Sequence, residues 1–124
     1  MFHSIIIEES LAKPRVLRNY KILKTKTWAE AGWHLHIVEI AEPKKAIKEI
    51  QGAIVADKPF YFHIYNEGKT LIIVFKNKVF HLSPKDKKTW QEARAFGASK
   101  LNIRPEQLDF YPTKISQETR WYNR

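Results

Sequence analysis

Apolar positions follow two rhythms along the chain, alternation in short runs and spacing near 3.6 in longer ones. Phe2 to Ile7 is a short β-branched run and predicts a strand. Ser10 to Arg18 holds Pro14 ahead of Val16 and Leu17, which suits the first turn of a short helix. Tyr20 to Trp28 fits two patterns. Thr25, Thr27 and Trp28 favour a strand, whereas Val16, Leu17, Tyr20 and Leu23 fit one helical face, and the strand reading is preferred. Ala29 to Gly32 reads as a turn and Trp33 to Ile40 as a strand, so the two segments form a hairpin.

Pro43 then opens a helix with Ala46, Ile47, Ile50, Ala53 and Ile54 on one side and Lys44, Lys45, Lys48 and Glu49 on the other. Pro59 to Leu82 reads as a three-stranded meander, turning at Asn66-Glu67-Gly68 and at Asn77. Its middle segment, Thr70 to Lys76, is apolar on both faces, as a central strand should be. Ser83-Pro84 is a helix-start signal, with Ser83 as cap, and Trp90, Ala93, Gly97 and Leu101 repeat on one face after it. Gly97 is placed to let that helix approach the sheet.

Strands in a meander with helices before and after them predict an α+β fold. The expected architecture is an antiparallel or mixed sheet of five to six strands, with two main helices packed mostly on one face. Residues 1–112 read as a single compact domain. Residues 113–124 have no clear period and read as a basic, disordered tail, although Arg120, Trp121 and Tyr122 could dock on a partner.

Composition narrows the chemistry. The chain has no cysteine, which excludes disulfides, thiolate metal sites and cysteine nucleophiles. The first apolar run is too short for a signal-peptide core and no stretch is long enough to span a bilayer, so a cytoplasmic protein with no membrane partner is expected. The four glycines lie far apart and form no phosphate loop, and no serine sits in a nucleophile elbow. No cofactor is implied, and the sequence assigns no catalytic residue. The His34-x-His36 strand lacks the hydroxyl residue that two-histidine phosphoesterases carry two places after each histidine, since Val38 follows His36 and Tyr65 follows His63.

Charge changes the picture most. Lys and Arg number 22 against 13 Asp and Glu, a net charge of +9. From Ser10 to Ala29 there is no acid, yet Lys13, Arg15, Arg18, Lys21, Lys24 and Lys26 all fall there. Such a field favours polyanions, nucleic acid among them, or an acidic protein or ligand. The alternative is a surface that merely keeps the chain soluble.

A second group comes from strand parity. Phe60, Phe62 and Ile64 share one face and Tyr61, His63 and Tyr65 the other, while His34 and His36 share a face of their own strand. In a suitable register His34, His36, Tyr61, His63, Tyr65 and His81 would form one patch. That patch could stack bases, line a small enzyme site, or pair with a second copy in a homodimeric scaffold. A metal site is not expected, because no carboxylate is foreseen beside the imidazoles, and Glu8-Glu9 reads as a solvated strand end.

Overall fold

Ser4, Ile5 and Ile6 are buried because their strand, β1 (Phe2–Ile7), runs through the middle of a sheet. The computed structural model describes residues 1–124, and the remaining strands are β2 (Ile22–Trp28), β3 (Trp33–Ile40), β4 (Tyr61–Tyr65), β5 (Leu71–Phe75) and β6 (Lys78–Leu82). They form one six-stranded sheet in the order β2-β3-β1-β4-β5-β6 with every neighbouring pair antiparallel. The hairpin of β2 with β3 and the meander of β4 to β6 stand as their patterning predicts, and β1 joins the two blocks. Ser4 ties it to β4 by donating its hydroxyl proton to the His63 carbonyl at 2.6 Å.

Both faces of the sheet are covered over its central strands, while the edge strand β2 is exposed at six of its seven positions. On the first, Ile6, Val38, Ile40, Phe62, Ile64, Ile72 and Val74 meet helix α1 (Pro43–Ala53) and the 3-10 segment Pro14–Asn19. Ala46, Ile50 and Ala53 of α1 are buried there. On the second face, Ile5, Ile37, Ile73 and Phe75 pack against Trp90 and Ala93, which belong to helix α2 (Gln91–Lys100) and the 3-10 turn before it. Ile103, Leu108, Phe110 and Trp121 complete this second core.

Three expectations are corrected. The two main helices lie on opposite faces, and the physical sign was the run Leu71–Phe75: it is buried at all five positions because both of its faces are occupied. Residues 113–124 do not form a disordered tail. Ile115–Gln117 is a 3-10 turn and Glu118–Tyr122 a short helix, α3, with Trp121 buried against the sheet. Finally, Ser83 does not cap α2. Asp86 accepts the Lys88 amide at 3.1 Å and starts the turn Lys87–Trp90 that leads into the helix, while the Trp90 indole donates to the Ser83 carbonyl at 2.8 Å. No helix is long and apolar enough to cross a membrane.

Candidate functional site

Pro14 locks its own φ and starts a tight 3-10 segment rather than an α-helix, with Leu17 as its buried anchor. The exposed side chains of Lys13, Arg15 and Arg18 then surround a depression of about 550 Å3 against the C-terminal half of α1, closed by Val16, Gly52 and Ala53. Glu49 is its one acid, and that carboxylate is already engaged by the Tyr20 hydroxyl at 3.0 Å and the Asn19 amide at 3.3 Å. None of the three cations has a carboxylate partner: of the chain's 22 Lys and Arg, Arg124 alone makes such a pair, with Asp109 at 3.6 Å. Lys45 and Lys48 are exposed, and helical spacing puts them on the stripe of Glu49 and Gly52, next to the depression.

The other basic residues of the acid-free segment lie elsewhere. Lys21 precedes β2 and is exposed. Lys24 and Lys26 point to the second face, where the Lys24 ammonium lies 4.2 Å from the centre of the Tyr122 ring. Lys26 donates to the carbonyls of Trp121 and Arg124 at 3.2 and 3.3 Å, closing the end of α3.

The proposed histidine and tyrosine patch divides between the two faces. His36 is paired with Ile6 and His81 with Ile72, which places both on the α1 side, four strands apart, or about 19 Å at ordinary strand spacing. Tyr61, His63 and Tyr65 face the other way and are covered by the segment after α2. The Tyr61 hydroxyl donates to the Gln107 carbonyl, His63 Nε2 donates to the Pro112 carbonyl at 2.9 Å, and the Tyr65 hydroxyl donates to Glu118. Glu118 also accepts from His3 Nδ1 at 2.7 Å. These side chains hold the C-terminal segment down. Burial drives the His63 pKa down to about 4, against weaker opposing effects from the Pro112 hydrogen bond and the Asp109 charge, so the ring is neutral at physiological pH.

Beside this interface lies a cleft of about 690 Å3, walled by Trp28, Trp33, Phe60 and Tyr111 with His63 among its lining residues. Trp33 packs edge-on against both Trp28 and Phe60, with ring centres 5.5 and 5.6 Å apart. The charges at the cleft are Lys26 and Arg124 against Glu30, Glu106 and Asp109, so it is not an anion site. One of its lining residues, Tyr111, has a buried hydroxyl without a partner. Next to it, Phe110 holds a left-handed φ of 52°, a strain offset by packing its ring on Trp90 and Tyr61.

A third cluster was not foreseen. The 3-10 turn Glu8–Ser10 carries Glu9 beneath the start of β3, where its carboxylate accepts from the His34 amide at 2.7 Å and meets His34 Nδ1 at 2.8 Å. Glu8 meets His36 Nε2 at 2.8 Å, and the far nitrogen of that ring meets the Thr25 hydroxyl at 2.8 Å. Hydrogen bonding to Glu9 raises the His34 pKa; for Glu9, burial acts upward, but the His34 hydrogen bonds outweigh it and the carboxyl ends up lower than usual. Glu8-Glu9 and His34-x-His36 were each visible in the sequence. Only the antiparallel register of β1 with β3 brings them together.

Comparison with protein-family models, with curated proteins and with solved structures gives no match.

Proposed function

We propose that the protein is a binding module for a polyanion, and that the partner is a nucleic acid gripped by its phosphates in the depression between Pro14–Asn19 and α1. The observation that carries this reading is the set Lys13, Arg15 and Arg18: exposed, without carboxylate partners, and grouped around a concavity whose single acid, Glu49, is occupied by Tyr20 and Asn19. Guanidinium groups suit phosphate because their donors form a planar fork. Lys45 and Lys48 extend the positive field along α1. No tryptophan or phenylalanine lines the depression, so base stacking contributes little and recognition is sequence-independent. Fluorescence anisotropy with a labelled oligonucleotide at low salt tests the reading. The triple variant Lys13→Gln, Arg15→Gln, Arg18→Gln is expected to bind weakly with an unchanged fold, and no binding by the parent protein would sink the proposal.

A second reading concerns the aromatic cleft, and its motivation is the partnerless Tyr111 hydroxyl. A mostly apolar small molecule with one hydrogen-bonding group suits the cleft's lining and would satisfy that atom once the Tyr111 ring turns to present it. Such a ligand should raise the melting temperature of the native protein and lose its effect in Tyr111→Phe; equal effects on both would dismiss this site.

A further inference from the structure

One oxygen of Glu8, one of Glu9 and a ring nitrogen of His34 lie within 4.8 Å of one another. Two carboxylates so close repel each other unless positive charge lies near them. The neighbouring His36 is nearly enclosed, and its two ring nitrogens are each held at 2.8 Å, one by Glu8 and the other by Thr25. A histidine fixed in this way orients the carboxylate it touches, as the outer groups around metal ligands do. We propose that Glu8, Glu9 and His34 form a binding site for one divalent first-row transition-metal ion of the Zn2+ class, with His36 and Thr25 as positioning residues for Glu8.

The ligand chemistry selects the ion. A ring nitrogen beside two carboxylates suits Zn2+ and its neighbours, whereas Ca2+ and Mg2+ prefer oxygen ligands alone. With metal–ligand bonds of about 2.0 Å, the corners of a tetrahedral site stand about 3.3 Å apart. Glu9 and His34 Nδ1 are 2.8 Å apart, so that edge needs to open by only about half an ångström. The wider edges close by side-chain adjustment, for which there is room because the His34 side chain is 50% exposed and that of Glu8 43%. The same exposure leaves a coordination position open to water, as in metal sites that act on a substrate rather than hold the fold. The site shares no residue with the basic depression.

The experiment is a calorimetric titration of the untagged full-length protein with ZnCl2, repeated with Co2+ and read by its visible absorption, in the absence of nucleic acid. Saturable binding of a single ion is expected. Glu9→Gln and His34→Asn should each weaken it by more than about tenfold, and Thr25→Val by about tenfold with recovery in Thr25→Ser. His81→Asn, which alters an exposed histidine on the far edge strand, should bind as the parent does. Circular dichroism checks each variant's fold. If Glu9→Gln unfolds, His34→Asn decides, since its side chain contributes little to the core. Absence of saturable binding by the native protein, or an unchanged affinity in His34→Asn, would overturn the site and leave the cluster as histidine–carboxylate pairs that tie Glu8–Ser10 to β3.

Discussion

His34 and His63 are the same side chain driven in opposite directions. Beside Glu9, the exposed His34 gains a proton more readily; enclosed under the C-terminal segment, His63 resists one. The His63 shift has a consequence for stability. Its folded pKa of about 4 lies below the ordinary value of 6.5, so as pH falls from 6.5 towards 4 the unfolded chain takes up a proton that the folded chain refuses. Stability is therefore fully present above pH 6.5 and declines through that window, by about 3 kcal/mol at about 1.4 kcal/mol per pKa unit. Chemical denaturation at a series of pH values should show this loss in the native protein and a shallower decline in His63→Gln, which keeps a donor for the Pro112 carbonyl. Parallel curves for the two proteins would mean that His63 is protonated in the folded state.

Among the elements, the strands were the more legible. β1, the β2–β3 hairpin and the β4–β6 meander follow from alternation and turn residues, because those signals are local. The stripe Trp90, Ala93, Gly97 was also readable, and Trp90, Ala93 and Gly97 are buried against the sheet while Leu101 is partly so. What alternation could not supply was the cover on the second face, since the segment 101–122 has short 3-10 turns and one five-residue helix, too short to show a period, and is held by long-range bonds from Tyr61, His63 and Tyr65. The His/Tyr patch divides for another reason: parity fixes which residues of one strand share a face but not which faces of different strands coincide, and pairing puts His36 and His81 on the α1 side and Tyr61, His63 and Tyr65 on the other. The cluster of Glu8 and Glu9 with His34 was illegible for a related one, because strand register is a property of pairs. Gly97 offers a test of the packing on this face. An added Cβ would stand 2.8 Å from Leu108 Cδ2 and 3.3 Å from Phe75 Cε1, and both neighbours are buried. Alanine gains about 1 kcal/mol in helix propensity, but overpacking costs about 1 to 3 kcal/mol, so Gly97→Ala should be destabilised by up to about 2 kcal/mol in urea unfolding. A more stable variant would show that Leu108 can turn aside.

For the whole molecule, the question is whether its net charge of +9 acts as a diffuse field or through one place. A diffuse field attracts any polyanion and responds to the number of charges lost, wherever they are. A local site responds to which charges are lost, because surface charges separated by more than about 8 to 10 Å are largely screened at physiological salt. Two triple variants separate these cases while removing the same charge. Lys13→Gln, Arg15→Gln, Arg18→Gln empties the depression; Lys58→Gln, Lys69→Gln, Lys100→Gln removes three exposed lysines that do not line it. Each phosphate contact contributes about 0.9 to the slope of log affinity against log salt for duplex DNA and about 0.7 for a single strand. Loss of three contacts should thus flatten the slope by about 2 to 3 in the first variant, with melting temperature little changed because exposed side chains contribute little to folding. The second variant should keep the parent slope. Equal flattening in both would remove the depression as a site and leave a diffuse attraction, and a parent protein that binds no oligonucleotide even at low salt would reduce the whole basic surface to its effect on solubility.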